Sequence, residues 1–487
     1  MIPVLLILIP ILTGIISFFL PNEKMARGWS LVATVVVLLV TTAGLLFFNQ
    51  YDQLNADYEW MPSLGSRFTV AMDGMSKMLC LLTAILFPVI FIATWNTSYV
   101  KAQSFYGLML LAQAGLMGVF VSADALLFYF FWELALIPAY FLCSRWGGER
   151  RIAVTFKFFI YTFIGSLFML VGLIYLYLLT PDQSFALTSF YNLQIPPEDQ
   201  SWVFWLMFIA FAVKMPVFPF HTWQPDTYEQ SPPAVTMVLS GIMVKMGVFG
   251  VIRWLAPVLP QGTWAWGDTV SWLSIIGMLY ASLLAMRQDD LKRLIAYSSI
   301  AHIGLMALAI FATNETGMQG VMIQMFCHGI NITGMWIVAD LIERQFKTRK
   351  LSELGGFAQK APVLAILLVV IALANIALPL TNGFIGEFLM FAGVFTSEAT
   401  QYSKIFASVA AISIILSAVY TLNMIQKIFF GNVNPLTASG MDARWNEKWV
   451  LSMIVIAILI IGVYPQPILN LTMETVQQVV ARMFIRN

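Results

Sequence analysis

The chain has 487 residues, 60% of them hydrophobic and 10% charged, with a formal net charge of +1, and its mean hydropathy is +0.82. Soluble domains carry about 25% charged residues, so this composition excludes a soluble enzyme and predicts an all-α polytopic membrane protein. The longest polar stretches, about 49–71, 180–201 and 428–448, are too short to hold cores of their own.

Apolar runs of roughly 18 residues or more predict about fourteen transmembrane helices, near 2–20, 28–48, 74–95, 106–122, 125–143, 154–179, 202–221, 234–255, 269–286, 294–312, 318–341, 362–391, 405–427 and 449–470. The first run, MIPVLLILIPILTGIISFFLP, has no basic n-region and no small-residue cleavage site, and reads as a retained helix. In the fifth run, LLFYFFWELALIPAYFL, Glu133 sits near mid-membrane with no route to either surface. The seventh, FWLMFIAFAVKMPVFPF, carries Lys214 followed by Pro216 and Pro219. A proline inside a helix removes a backbone bond and clashes with the preceding turn, so a break is expected there. The eighth holds Lys245 with Gly241 and Gly247 nearby, the tenth His302 and the eleventh His328. The twelfth, ALANIALPLTNGFIGEFLM, carries Pro379 and Gly383 before Glu387, and a second break is expected.

An ionised group at bilayer depth costs at least about 2.5–3.5 kcal/mol and is functional by default. Glu133, Lys214, Lys245, His302, His328 and Glu387 are therefore the candidate proton-transfer residues. Lysine shifts its pKa readily when buried, which suits a carrier, and arginine does not. Histidine relays protons in either direction near neutral pH. Against these stand blander roles: Glu133 as an anchor, Lys245 as a counter-ion, and each histidine as a satisfied core residue or a haem ligand. Lys214 is the obvious cation to pair with Glu133, and a pair whose separation changes would gate protons. Ser240, Ser298, Ser299 and Thr333 lie near the line and can bridge it. His221 is expected at the membrane interface. Cys80, Cys143 and Cys327 have no CxxC spacing and read as packing residues.

Sorting Lys and Arg by alternate loops separates eighteen, from Lys24 to Lys448, from only six in the other set, Arg67, Lys77, Arg253, Lys404, Arg482 and Arg486; Lys214 and Lys245 complete the 26. The positive-inside rule then puts both termini outside the cytoplasm. These basic residues orient the chain and form no nucleic-acid surface.

Two interrupted segments five apart are the pattern of an inverted-repeat transporter. The spacing predicts two five-helix repeats, segments 4–8 and 9–13, with the broken helix fourth in each. It divides the chain into peripheral helices at 1–101, a core at 102–431, and a last helix with its tail at 432–487.

The wording FWELALIPAYFL, FAVKMPVFPFHTWQPDTYEQSPPA, LSGIMVKMGVFGVIRW, LIAYSSIAHIGLM, TRKLSELGG and LPLTNGFIGEFLMF resembles the antiporter-like subunits of respiratory complex I and of Mrp-type sodium/proton antiporters, from roughly Ala102 to Gly431. The family's fifth-helix glutamate, seventh- and eighth-helix lysines and twelfth-helix charge fall on Glu133, Lys214, Lys245 and Glu387. At the last position the L and N subunits and the Mrp relatives usually carry lysine, and the chain resembles the branch that carries glutamate. The chain ends soon after its fourteenth segment, which implies that it lacks the lateral helix of the L subunit.

The resemblance implies a membrane-arm subunit of NADH:quinone oxidoreductase in a bacterial plasma membrane. It would move protons outward beside subunits L and N and membrane lipids. No cofactor is expected in this chain, with FMN, iron–sulfur clusters and quinone in partner subunits. A sodium/proton antiporter is the alternative, and would need a cation site of carboxylate and carbonyl oxygens. A structural scaffold is the third, and the titratable row argues against it.

Overall fold

The computed structural model describes residues 1–47 and 51–484; Arg486 lies outside them. In chain order the first helices are α1 (Ile2–Ser17), α2 (Glu23–Leu46), α3 (Tyr51–Leu54), α4 (Gly74–Ala93), α5 (Ala102–Val121), α6 (Ala125–Trp146), α7 (Arg151–Leu179) and α8 (Leu187–Tyr191). They are followed by α9 (Pro197–Lys214), α10 (Trp223–Gln230), α11 (Pro233–Val238), α12 (Val244–Gly250), α13 (Pro260–Met286), α14 (Leu291–Ile310) and α15 (Glu315–Phe346). The last are α16 (Pro362–Asn375), α17 (Asn382–Phe395), α18 (Ser403–Phe429), α19 (Trp445–Val463) and α20 (Gln466–Met483). Among the described residues, eleven helices are long and apolar enough to cross a membrane, α11 and α12 counting as one run, and α1, α16 and α17 are shorter apolar helices.

The helix starts follow from side-chain oxygens that accept from otherwise orphaned first-turn N–H groups. Asn22 caps α2, Asp73 caps α4, Asp124 caps α6, Asp290 caps α14 and Asn314 caps α15, at 2.8–3.1 Å. Helices α5, α14, α15 and the α11–α12 run are almost wholly buried and form the centre. The outer helices α2, α7, α18 and α19 expose Leu39, Ile152, Phe156, Ile415 and Met453, apolar side chains on the face that meets lipid or another membrane chain.

The chain is not purely helical. Strands β1 (Asn55–Met61) and β2 (Ser66–Ala71) pair antiparallel, with Gly65 at φ 69° in the connection. This hairpin lies in a stretch expected only to be polar, where the periodic signal is too short to stand out between two spans. On its face Arg67 hydrogen-bonds Asp57 and holds that carboxyl below the usual carboxylate range. The tail also folds: Thr472, Thr475, Val476 and Val479 of α20 are buried, and Thr475 accepts from the Gly74 N–H at 3.0 Å.

Both expected breaks are present. Helix α9 ends at Lys214 and the chain resumes as α10, while α16 ends at Asn375 and resumes as α17. A third irregularity was not expected. The α11–α12 run contains two π-helical segments, Leu239–Met243 and Val251–Leu255, which flank Lys245 and include Arg253 respectively.

Close approach of α9 and α12 depends on Gly247, where an added Cβ would lie 2.7 Å from Met215 N and Phe211 O. Gly247→Ala is therefore expected to destabilise the chain by about 1–3 kcal/mol through overpacking. Gly28→Ala, inside α2 with nothing within 4 Å of the added Cβ, should instead stabilise by about 0.4–1 kcal/mol. Thermal unfolding of the detergent-purified complex separates the two; equal transitions would contradict the packing argument.

Candidate functional site: a row of titratable groups between two helix breaks

The first break shows how the backbone is satisfied in an apolar interior. Pro216 cannot donate to Ala212 O, and that carbonyl accepts instead from Val217 N at 2.9 Å. Val213 O, freed by the same shift, accepts from the Trp223 indole at 2.9 Å. Lys214 is the last helical residue before this break, buried, with its ammonium 5.5 Å from the Trp132 ring and 5.9 Å from the Phe158 ring. Its Nζ has no protein hydrogen-bond partner. Glu133 is half-buried on α6, and one of its oxygens is likewise unpartnered. The expected Glu133–Lys214 pair is not closed here: among the described residues no ion pair within 4.0 Å joins them. His221, expected at the interface, is buried against Phe218 and Tyr280.

The second half of the row is contiguous. Lys245 Nζ donates to the Ser240 carbonyl at 2.8 Å and lies 2.8 Å from His328 Nδ1. Ser240 belongs to the first π-helical segment, where the altered ladder leaves a carbonyl turned toward a side chain five residues on. A protonated Lys245 has only donors, so His328 Nδ1 must accept and Nε2 carries the proton facing Ser299 Oγ at 3.3 Å. The His328 ring centroid is 5.7 Å from that of His302, and His302 Nδ1 is 3.0 Å from Glu387 Oε1. Both nitrogens of His328 are thus engaged by protein groups, leaving neither for a haem iron.

Glu387 is held in the second turn of α17 by the other break. Ala374 O accepts from Ala377 N at 3.2 Å and from Asn331 Nδ2 at 3.4 Å. An added Cβ at Gly383 would stand 2.2 Å from Ala374 O, so only glycine lets the two half-helices approach this closely. Ala377 and Leu380 take φ of 55° and 72° in the connection, costly for non-glycine residues and held by the surrounding packing. A small cavity beside Glu387 is lined by His302, Ser413, Ser417 and Tyr420.

Chemically, the arrangement from Lys245 to Glu387 can pass a proton by exchange. Lys245 gives a proton to His328 Nδ1 as Nε2 releases one toward Ser299; His302 accepts at its buried, unpartnered Nε2 and gives from Nδ1 to Glu387. One passage leaves His328 protonated at Nδ1, His302 protonated at Nε2 and the proton on Glu387, so a second passage requires both imidazoles to exchange tautomer and Glu387 to release its proton.

Residues 122–415 match the family described as "NADH:quinone oxidoreductase/Mrp antiporter, TM". The chain belongs to this family. It is 35% identical to NADH-quinone oxidoreductase subunit M of Rickettsia prowazekii over 94% of this chain and 93% of the relative. It is 34% identical to F(420)H(2) dehydrogenase subunit M of Methanosarcina mazei over 99% of both. A chain of respiratory complex I from Thermus thermophilus with bound NADH superposes with a TM-score of 0.90 at 28% identity, covering 99% of this chain and 100% of that one. Both curated relatives are subunit M, the branch to which Glu387 points.

Of the expected bridging groups, Ser299 touches the row with its hydroxyl, whereas Ser240 meets Lys245 through its backbone carbonyl and turns its hydroxyl to Thr236 O. Ser298 is one step removed, joining Asn375 at 3.1 Å and Tyr420 at 2.9 Å. Thr333 bonds its own helix at Gly329 O. Sequence reasoning missed the charged hub at the basic end of the molecule. There Glu229 accepts from Arg150, Arg293 and Arg349 at 2.9–3.2 Å, while Asp226 accepts from Lys157 at 2.9 Å and Arg293 at 3.0 Å. The partners come from three separate stretches, and the run DTYEQSPPA carried no sign that its two acids collect them.

Lys245→Arg retains the positive charge but cannot release it. Quinone reduction coupled to proton movement is expected to fall by about a hundredfold, the low end of general acid–base contributions. Normal coupled turnover in proteoliposomes would show that Lys245 is only a counter-ion.

Proposed function

We propose that this chain is the subunit M type, antiporter-like proton-translocating subunit of a membrane quinone oxidoreductase. Protons move through Glu133, Lys214, Lys245, His302, His328 and Glu387, driven by quinone reduction in other subunits. The observation that carries the reading is the alignment of Lys245, hydrogen-bonded to His328, with His302, whose ring lies 5.7 Å from that of His328 and which is hydrogen-bonded to Glu387, in a chain whose relatives are subunits M of redox complexes.

The row holds two acids and two lysines, so with all four ionised it is neutral. Moving one proton then leaves an imbalance that the next group feels. A change in the separation of Glu133 and Lys214 changes the counter-charge that each presents to the other in a poor solvent. A change at the first pair thus alters the field on Lys245, which needs no new bond between them.

The electron donor is a property of the partners: one relative belongs to an NADH-quinone oxidoreductase and another to an F(420)H(2) dehydrogenase. NADH fits the resemblance to complex I, with FMN, iron–sulfur clusters and quinone held by partner subunits and L and N as membrane neighbours. The core at 102–431 contains every proposed carrier. The asymmetry of basic residues supports a bacterial plasma membrane orientation with the Lys/Arg-rich loops in the cytoplasm and both termini outside.

Glu133→Gln and Glu387→Gln each remove one titratable oxygen and keep the shape. In the assembled complex each is expected to lower proton pumping and quinone reduction together. Unaltered pumping and reduction in both would sink the assignment. Sodium-dependent dissipation of a pH gradient by the chain alone in liposomes would instead favour an antiporter.

A further inference from the structure

Where the α4–α5 loop, the α6–α7 turn and the start of α11 meet at the basic end, a cavity of about 670 Å³ opens. Lys101, Arg145 and Arg151 line it, and among the described residues no Asp or Glu does. Their neighbours in sequence are neutralised: Arg150 pairs with Glu229 and Lys157 with Asp226, while Glu149 lines the adjoining cavity on the side of the hub. Among the described residues, none of the three cations has an ion-pair partner within 4.0 Å. Like charges gathered without a counter-ion repel one another, and one anion in the cavity would relieve all three.

The walls are tied together by the protein itself. Arg151 donates from Nε to Ser144 O at 3.1 Å and from Nη1 to Gly148 O at 3.3 Å, which leaves Nη2 without a protein acceptor. The Trp146 indole donates to Val100 O at 2.7 Å, joining the end of α6 to the α4–α5 loop, and Gly148 N donates to Gln230 O at 2.7 Å, joining the turn to α10. Lys101 takes φ of 54° at the start of α5. That left-handed conformation comes more cheaply to glycine, so the chain keeps a cation where the backbone alone would favour none. Thr97, whose buried hydroxyl has no protein partner, adds a neutral donor to the lining.

The surroundings select the kind of anion. Phe130, Ile137 and Phe141 are exposed on α6 and return, with Arg145, to one face of the helix. The Arg145 guanidinium lies 5.6 Å from the Phe141 ring. One apolar stripe thus runs along the helix to the mouth of the cavity. Ile152 and Phe156 are exposed on α7 just after Arg151, and Trp146 stands at the same level, as interfacial tryptophans do. A free anion would use only the cations, whereas a phospholipid would use the cations and both stripes.

We propose that this cavity is a binding site for an anionic phospholipid of the leaflet at the basic end. Its phosphodiester lies among Lys101, Arg145 and Arg151 and accepts from Arg151 Nη2. Its acyl chains follow Phe141, Ile137 and Phe130 down α6 and Ile152 and Phe156 down α7. Basic pockets at this level of a membrane protein attract anionic headgroups. A headgroup held here joins the α4–α5 loop to the α6–α7 turn and to Pro232 and Pro233, where the run that carries Lys245 begins. The site stands on its own geometry and needs no particular proton path.

The test places the photoreactive p-benzoylphenylalanine at position 137, in place of Ile137, in the assembled complex. The complex is reconstituted in vesicles of equal phosphatidylglycerol and phosphatidylcholine with matched chains, illuminated, and its adducts identified by mass. Each cation beside an anionic lipid contributes about a fivefold preference, so phosphatidylglycerol adducts are expected in an excess on the order of a hundredfold for the three together. Arg145→Gln changes a side chain that donates no hydrogen bond among the described residues. It should lower the excess about fivefold, and Arg145→Lys should keep it. Replacing Lys101, Arg145 and Arg151 together by Gln should abolish it; if that variant fails to assemble, the Arg145 pair decides alone. Equal adducts of the two lipids, an excess unmoved by Arg145→Gln, or cross-linking to a polypeptide in place of lipid overturns the site. Loss of the excess on adding inorganic phosphate would assign the cavity to a free anion and overturns the lipid too.

Discussion

A polar group inside hydrocarbon must find a partner within the protein, because water is not at hand to solvate it. In this chain the requirement is met most tightly where Lys245 lies between the Ser240 carbonyl and His328 Nδ1, both at 2.8 Å. A fully buried ammonium needs oxygen and nitrogen acceptors, and a regular α-helix has none to spare. The π-helical stretch Leu239–Met243 supplies one by loosening the ladder at the right place. The irregularity of the helix and the charge of the lysine are two sides of one solution.

The same requirement explains the two breaks. Each interrupts a helix at membrane depth and frees carbonyls, and each is repaired by a side-chain donor from elsewhere: the Trp223 indole for Val213, the Asn331 amide for Ala374. The repairs fix where Lys214 and Glu387 stand. They also leave the two ends of the row in different conditions. Glu387 is bonded to His302, whereas Lys214 has only aromatic faces around its ammonium and no bond to Glu133. One end of the row is thus joined by a hydrogen bond, and at the other the ammonium meets only aromatic faces.

At the basic end electrostatics serve rigidity. Three arginines converge on Glu229 and two cations on Asp226, so a helix of only eight residues, α10, is anchored to α7, α14 and two loops. Such a network is worth more than isolated surface pairs, which contribute little. Asp340, Arg344 and Glu447 do the same for α15 and α19, with Glu447 also accepting from Arg444 N at 2.7 Å. The opposite end relies instead on the hairpin, the Arg253–Asp73 pair and the packing of α20.

What the sequence determined by itself was everything that depends on local chemistry. Apolar runs predicted the spans, proline and glycine predicted both breaks, and buried charge singled out Glu133, Lys214, Lys245, His302, His328 and Glu387; the wording around them was enough for the family. What only the tertiary structure decided was pairing across long separations. His328 meets Lys245 across 83 residues and Glu387 meets His302 across 85, and these contacts depend on how each helix is rotated about its axis. In helices as uniformly apolar as α14 and α15, hydrophobic periodicity is too weak to set that rotation. The open Glu133–Lys214 pair, the π-helical segments and the Glu229 hub are invisible in the sequence for the same reason. Each is a relation between distant residues, fixed only when the helices pack.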